Sequence, residues 1–211
     1  MMSLRGSRLS SLTLPPATVW LLTEIAEAKG KEALVTKQAP QVLTALRRMA
    51  LVQSVESSNR IEGVAVAADR LEPLVLGRAR PKDRSEEEIH GYRRALSLIH
   101  DEAATLDINA ETMLRLHSLC QEGAGDAGKW KRVDNDIVEL RPGQAPVVRF
   151  SAVKAKQTAP AIAEMCLAYR HFIDQRLVHP LVSAAALVLD FLCIHPFRDG
   201  NGRVSRLLTL L

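Results

Sequence analysis

The chain has 211 residues, of which 47% are apolar, 4% aromatic and 25% charged, and its formal net charge is +4. This composition excludes collagen-like, disordered and disulfide-scaffold proteins. A chain of this length can bury a substantial core without disulfide bonds, metal ions or a partner chain. Its apolar runs are too short to span a membrane and its first residues lack a secretory signal, so we expect a cytoplasmic protein with no membrane partner.

The first half of the chain is predicted to be helical. Apolar residues recur at helical spacing over Ala17–Lys29 and Pro40–Glu56, and Gly30 and Pro40 mark the helix boundaries. Ser85 is followed by Glu88 three residues later, a capping-box pattern that predicts a helix capped by Ser85. Asn109 is predicted to cap the next helix, which ends before a glycine-rich stretch.

The second half begins with a change of pattern. Val133–Leu140 and Val147–Phe150 are short β-favouring runs separated by turn residues, which predicts one hairpin. Long helices are predicted over Ala152–Gln175 and Pro180–Ile194, and the second is apolar nearly all round, which is typical of a central buried helix. The predicted fold class is therefore mainly α with one β-hairpin, and no linker is long enough to separate two domains.

The twelve residues that follow the last of these helices read H-P-F-R-D-G-N-G-R-V-S-R. The Gly-Asn-Gly segment permits positive φ and close backbone approach just before a predicted helix, so its N–H groups can converge on an anion such as phosphate. Two arginines three residues apart share one face of that helix and can bind the same polyphosphate. These groups are Gly200, Asn201, Gly202, Arg203 and Arg206.

Two further residues of this stretch suggest a reaction. Asp199 borders the anion loop, where phosphate would repel a carboxylate unless a hard cation such as Mg²⁺ bridged them. His195 follows a buried helix and, when neutral, can accept a proton from a hydroxyl. Together the residues indicate transfer of a phosphorus-containing group to an alcohol. A zinc site using His179 or His195 with Asp199 lacks the remaining ligands.

This stretch resembles the signature of the Fic family, H-x-F-x-[D/E]-G-N-G-R-x-x-R, at every specified position, with Asp199 in place of the more frequent Glu. The resemblance extends over about residues 47–211 and includes a hairpin before two helices. It implies a helical Fic-type core with a β-hairpin flap. The domains would be an N-terminal helical extension over 1–45 and a Fic domain over 46–211.

The resemblance implies a protein adenylyltransferase, which moves AMP from ATP to a Ser, Thr or Tyr hydroxyl of a target protein. His195 would be the general base and Asp199 the ligand of Mg²⁺, while Phe197 would anchor the loop. The target would add a strand to the flap near Val147 and Val148. The resemblance also implies that Gly200, Asn201 and Gly202 form the anion hole for the α-phosphate. Arg203 would hold the phosphates undergoing transfer, and Arg206 would hold the γ-phosphate.

A second motif lies near the predicted end of an earlier helix. Ser58 and Glu62 are four residues apart and share a helix face, and Gly63 can end the helix. Beside a Fic motif this segment resembles the family's inhibitory motif, [S/T]-x-x-x-E-[G/N], within an inhibitory helix near 50–63. The resemblance implies that Glu62 pairs with Arg206 and takes the cation that the γ-phosphate of ATP needs.

Other functions remain open from the sequence. The alternatives are that the same site uses another nucleotide donor, that it removes AMP from a modified target, or that the domain only binds a partner without catalysis. Self-modification and a homodimer are also compatible with the resemblance. Binding of nucleic acid would need a domain beyond the last residue, and the apolar end of the chain leads us to expect that the natural protein continues.

Overall fold

The computed structural model describes residues 3–6, 8–35, 40–139, 141, 143 and 145–211. These residues form a mainly helical fold with one two-stranded antiparallel sheet, which confirms the predicted fold class. In chain order the elements are α1 (Pro16–Val35), α2 (Pro40–Ile61), α3 (Ala68–Val75), α4 (Arg84–Glu102), α5 (Ala110–Cys120), β1 (Asp136–Glu139), β2 (Val147–Ser151), a 3₁₀ turn (Ala155–Gln157), α6 (Thr158–Asp174), α7 (Pro180–Ile194) and α8 (Asn201–Leu208).

Two predicted helix starts have different outcomes. Asn109 caps α5 as predicted, because its side chain accepts a hydrogen bond of 2.8 Å from the backbone N–H of Thr112. The prediction that Ser85 caps α4 was wrong. Asp83 is the cap and accepts from the backbone N–H of Glu86 at 2.9 Å, since Asp83 and Glu86 form the same cap-plus-three pattern two residues earlier.

The core is mainly aliphatic and lies largely between the last five helices, with α2 and α3 adding Val55, Leu74 and Val75. Apolar side chains of α4, α5, α6, α7 and α8 are fully or almost fully buried together. Helix α7 has the predicted bounds but buries only part of its surface, because Leu181 and Leu189 are about half exposed. Helix α6 begins at Thr158, six residues later than predicted, after the 3₁₀ turn. The core residues include Tyr92, Leu96, Met113, Leu116, Ile162, Met165, Leu187, Phe191, Val204 and Leu207.

The N-terminal region of the chain divides into two parts. Leu4 and Leu9 are buried in the core, and the backbone N–H groups of Ser3 and Leu4 donate to the carboxylate of Asp190 on α7. Among the described residues, α1 packs against no other helix or strand, and Trp20 on it is 69% exposed. Residues 1, 2, 7 and 36–39 of the predicted N-terminal extension lie outside the described residues.

The hairpin is joined to the helical body at both ends. Strand β1 pairs with β2 from Asp136 opposite Ser151 to Glu139 opposite Val147, with an irregularity after Ile137. The N–H of Val153 donates to the carbonyl of Cys193 on α7. Residues 140, 142 and 144 of the predicted hairpin lie outside the described residues. At the other end, the side chain of Asn135 just before β1 donates to the carbonyl of Phe197 in the turn after α7, at 3.0 Å. The hairpin therefore begins beside this turn and ends beside the last residues of α7.

The structure also bears on membrane crossing and on the state of the cysteines. Within the described ranges, no helix combines the length and the apolar character that crossing a bilayer requires. Cys120, Cys166 and Cys193 are unpaired; the first two are buried and Cys193 is half-buried. Burial raises the pKa of the Cys120 thiol to about 12, so this thiol is an unreactive part of the core.

Candidate active site

The turn between α7 and α8 has a backbone shape that its own side chains maintain. His195 ends α7 in the left-handed conformation, with φ 49° and ψ 61°, and its N–H donates to the carbonyl of Phe191 at 2.9 Å. The side chain of Asn201 then closes the loop, since its Oδ1 accepts from the N–H of Phe197 and its Nδ2 donates to the carbonyl of the same residue. Asn201 therefore shapes the loop with its side chain.

Phe197 attaches this loop to the core. Its ring is fully buried and stacks on the ring of His117, with the centroids 3.7 Å apart and the planes 1° from parallel. Trp130 stacks on it less closely, at 5.1 Å. Because aromatic packing of this kind fixes a side chain in one orientation, the backbone on either side of Phe197 is held in place.

His117 on α5 joins two separate loops, and sequence reasoning missed it. Its Nδ1 accepts a hydrogen bond from the N–H of Gly128 at 3.0 Å, so Nε2 carries the proton and donates to the carbonyl of Asp199 at 3.1 Å. Burial lowers the pKa of His117, which keeps the ring in this neutral form. Its position on the apolar face of α5 was the available signal, but that pattern is typical of many core histidines.

His195 is half-buried and has charged groups of both signs near it. Within the described part of the chain, its Nδ1 is buried without a hydrogen-bond partner of normal geometry. Burial is the main cause that lowers the pKa of His195, and the charge of Lys131 acts in the same direction. The Leu192 carbonyl and the carboxylates of Asp199 and Glu62 oppose this shift. The imidazole is therefore neutral near pH 7 and able to accept a proton.

The start of α8 presents glycines to two neighbours. Gly200 has φ 79°, and a Cβ added there would lie 2.9 Å from Nε2 of Gln121. A Cβ added to Gly202 would lie only 2.2 Å from Oε1 of Glu62. Only glycine therefore lets the Glu62 carboxylate lie against the first turn of α8, where the helix dipole favours negative charge.

Arg203 and Arg206 differ in their surroundings. Arg203 is 2% exposed, and its guanidinium donates to Glu88 on α4 at 2.6 Å, with the Asp199 carboxylate 3.8 Å away. Glu88, which sequence reasoning assigned only to a helix cap, thus holds a buried cation of the site. No sequence signal distinguishes it from the acidic residues beside it.

Among the described residues, those that bind the Arg206 guanidinium lie at the end of α2. Its Nε donates to the hydroxyl of Ser58 at 2.7 Å, and one terminal nitrogen donates to the Ser58 carbonyl at 2.9 Å and to the Glu62 carboxylate at 2.6 Å. Gly63, with φ 79°, ends α2 so that the N–H of Val64 returns to the carbonyl of Asn59. The structure therefore brings Ser58, Glu62 and Gly63 to the same place as the arginine.

Asp199 has the features of a shared magnesium ligand. Its side chain is 71% exposed, and one carboxylate oxygen accepts from the N–H of Gly200 at 2.6 Å. No group of three or more metal-binding side chains occurs among the described residues. Mg²⁺ is commonly held by one or two carboxylates together with substrate phosphates, and the donors present here fit that arrangement.

The predicted docking residues of the flap lie apart from these contacts. Val147 and Val148 are on β2 and are 44% and 53% exposed. Since β1 covers one edge of β2, the other edge is unpaired within the described strands. The hairpin therefore presents exposed apolar side chains and, within the described strands, an unpaired backbone edge.

Comparison with known proteins gives one family. Residues 107–211 match the model of the Fic/DOC family. No curated protein shows a significant match to the chain.

Many solved structures resemble the chain, and three of them illustrate the likeness. They are a Fic family protein from Desulfovibrio desulfuricans G20 (24% identity, TM-score 0.72), a Fic domain containing signaling protein from Bacteroides thetaiotaomicron VPI-5482 (22%, 0.73) and Fic-1 from C. elegans (19%, 0.62). The matches cover 94%, 88% and 92% of this chain, and 57%, 70% and 58% of those chains. At these identities the likeness concerns the fold, and the chain spans less than two thirds of two of the three proteins.

Proposed function

Residues 107–211 are a Fic/DOC-family domain, and from this premise we propose that the protein transfers AMP from ATP to a hydroxyl group of a target protein. Members of this family commonly transfer AMP onto proteins. The proposal includes a low basal activity, because Glu62 occupies Arg206 when no activating event has moved it.

One observation carries the proposal. The start of α8 already holds an anionic group of the protein itself, because the Glu62 carboxylate lies against Gly202 and binds Arg206. A helix N-terminus with glycine backbone and an arginine is suited to phosphate. The same turn carries a neutral histidine. An anion site beside a neutral base is what transfer of a nucleotide to a hydroxyl requires.

The reaction can be written from these residues. The target oxygen attacks the α-phosphorus of ATP while His195 accepts the hydroxyl proton. The bond from the α-phosphorus to the bridging oxygen of the β-phosphate breaks, and pyrophosphate leaves with that electron pair. The backbone N–H groups at the start of α8 and the guanidinium of Arg203 stabilise the charge on the phosphates. Asp199 would hold Mg²⁺, which when bound neutralises phosphate charge.

The low basal activity follows from competition between the Glu62 carboxylate and ATP for Arg206, and we call this inhibitory contact the brake. While Glu62 and Ser58 bind Arg206, that guanidinium is unavailable to the γ-phosphate, and the carboxylate repels an incoming polyphosphate. ATP that binds without Arg206 is held by fewer groups and reacts slowly because the α-phosphate is not aligned. Release of Glu62 would restore both the cation and the space beside Gly202.

The substitution Glu62→Gly tests this proposal. We expect about 5- to 150-fold faster AMP transfer, the usual range for coupling between sites. The measurement is incorporation of label from α-labelled ATP, with Mg²⁺, into the protein itself and into a lysate of its own cell. A parallel reaction contains γ-labelled ATP instead. It should leave no label on protein if AMP rather than phosphate is transferred.

Two further variants make the test specific. Glu56→Gly introduces glycine into the same helix but removes only an exposed ion pair with Arg60, so its transfer rate should equal that of the unchanged chain. His195→Ala combined with Glu62→Gly should abolish transfer while ATP binding persists. Equal rates for Glu62→Gly and the unchanged chain would contradict the brake, and full activity without His195 would contradict its role as base.

The product distinguishes the alternatives. Mass spectrometry of the labelled protein identifies the attached group, and a mass other than AMP would indicate another nucleotide donor. Release of free AMP from a target modified beforehand would indicate hydrolytic removal of AMP, in which water takes the place of the hydroxyl nucleophile. ATP binding with no product in any variant would indicate a non-catalytic binding domain.

A further inference from the structure

Lys131 lies in the loop before β1 and contacts the turn of His195 on both sides. Its backbone N–H donates to the carbonyl of Pro196 at 2.8 Å, and its Nζ donates to the carbonyl of Ile194 at 3.1 Å. These are the carbonyls immediately after and immediately before His195. One residue thus binds the carbonyls of both residues adjacent to the histidine.

The contact continues to the next residue of the turn. Nζ of Lys131 also donates to Oδ1 of Asn135 at 2.6 Å, and Nδ2 of Asn135 donates to the carbonyl of Phe197 at 3.0 Å. The four-residue segment Ile194–Phe197 is therefore held at three carbonyls by Lys131 and Asn135. His195 needs such support, since a non-glycine residue in the left-handed conformation carries backbone strain.

Lys131 is also an unusual cation for its position. It is only 6% exposed, and no carboxylate of the described residues lies within ion-pair distance of Nζ; Asp134 and Asp136 act on it from farther away. Burying an ammonium group without a paired carboxylate costs free energy, which hydrogen bonds to carbonyls offset only in part. A neutral residue of similar length would avoid this cost, so the charge itself calls for an explanation.

We infer that Lys131 is a positioning residue for the proposed base, which holds the His195 backbone in its strained conformation and keeps the imidazole in the proton-accepting form. This inference rests on the proposed role of His195 but not on the identity of the nucleotide or target.

The charge of Lys131 shifts the pKa of His195 in a definite direction. Lys131 lowers the pKa of His195 in addition to burial, whereas Asp199 from the same turn and Glu62 from α2 raise it. Removing the Lys131 charge while both carboxylates stay leaves the carboxylates unopposed. The pKa of His195 must then rise, and a larger fraction of the imidazole is protonated at a given pH.

The test uses Lys131→Met, which keeps the apolar stem and the backbone N–H but removes the charge and the side-chain donors. The first measurement is the titration of His195 by long-range ¹H–¹⁵N NMR of the histidine rings in the full chain, with the signal assigned from His195→Ala. We expect the midpoint to move upward. This readout needs no activity, so it stays decisive even if AMP transfer is never observed.

Three comparisons separate charge from geometry and from folding. Lys131→Arg retains the charge and should keep the midpoint close to that of the unchanged chain. Lys131→Gln retains a donor without charge and should show the upward shift even if the Met variant fails to fold. Asn135→Ala removes hydrogen bonds but not the charge, and its midpoint should not rise. An unchanged or lower midpoint in folded Met and Gln variants would overturn the inference.

If Glu62→Gly raises the rate of AMP transfer, enzyme kinetics give a second test of the role of Lys131. In that background Lys131→Met should lower kcat about ten- to a hundredfold, with a smaller change in KM for ATP, because the residue supports the base and not the phosphates. The midpoint of the acidic limb of the pH–rate profile should move to higher pH, as the NMR titration midpoint of His195 does. A loss confined to KM would contradict the assignment to His195.

Discussion

At the scale of single residues, His195 combines a strained backbone with a depressed pKa. The left-handed conformation turns the chain sharply between α7 and α8, while burial disfavours the charged imidazolium. Both properties are useful for a base that must be neutral and fixed in place. Neither follows from the residue type, because an exposed histidine has an ordinary pKa of about 6.5.

The lowered pKa predicts the pH dependence of transfer. A base works only when unprotonated, so activity of the Glu62→Gly protein should be lost as pH falls through the folded-state pKa. Because that pKa is lowered, the midpoint of the acidic limb should lie below the 6.5 of an unperturbed histidine. The measurement is kcat/KM for ATP between pH 5 and 8. A limb centred above 6.5 would contradict the assignment of His195 or of its environment.

At the scale of elements, one ion pair joins α4 to α8. Arg203 is almost completely buried, and Glu88 is its close carboxylate partner at 2.6 Å, while Arg84 binds the other oxygen of Glu88 at 2.9 Å. Removing one partner of a buried pair leaves an uncompensated charge, and this costs more than the pair contributes. The position of Arg203 beside the anion loop thus depends on a helix that begins 119 residues earlier in the chain.

The substitution Glu88→Ala should therefore lower the free energy of unfolding by about 3–5 kcal/mol, because it leaves the buried Arg203 charge without its close partner and with only the exposed Asp199 carboxylate at 3.8 Å. Denaturant unfolding followed by circular dichroism measures this change. Glu87→Ala, one residue earlier on the exposed face of α4, is the matched control and should change stability by less than about 0.5 kcal/mol. Equal losses of unfolding free energy in the two variants would contradict a larger contribution from the buried ion pair.

At the scale of the whole molecule, the beginning of the chain completes the core near its end. Asp190 on α7 is fully buried, and its two carboxylate oxygens accept from the N–H groups of Ser3 and Leu4 at 2.5 and 3.0 Å. Arg5 then pairs with Glu164 on α6 at 2.5 Å. The N-terminal segment thus satisfies a buried charge five residues before His195.

A double-mutant cycle tests this contact. Removing the first twelve residues should destabilise the protein, partly because Asp190 loses its donors and partly because Leu4 and Leu9 leave the core. Asp190→Asn should cost about 1–3 kcal/mol in the full chain, since an amide cannot accept from both N–H groups. In the shortened chain the same substitution should cost less. Thermal unfolding of the four proteins gives the coupling, and additive effects would contradict it.

Much of the fold could be predicted because the relevant forces act over a few residues. The bounds of α7 and the cap of α5 follow from apolar spacing and from an Asn side chain that reaches its own helix start. The cap of α4 was misplaced because Ser85 and Asp83 both fit the pattern, and the contact of Glu86 with Arg70 lies sixteen residues away. Predictions about burial were weaker, since Leu181 and Leu189 on an almost wholly apolar helix stay half exposed.

The sequence by itself determined the local chemistry: a histidine, a carboxylate, a glycine turn and two arginines within twelve residues, next to a helix start. Only the tertiary structure decided which charges meet. Arg206 and Glu62 are 144 residues apart, Arg203 and Glu88 are 115 apart, and Lys131 and Ile194 are 63 apart. The first contact was expected only from a family resemblance, and the other two were not expected.

The reason lies in the range of the interactions. Turn geometry and helix spacing depend on neighbours in sequence and leave a pattern there, whereas pairing of distant charges depends on how helices pack. That packing is decided by many small apolar contacts spread over the whole core, and no short motif records them.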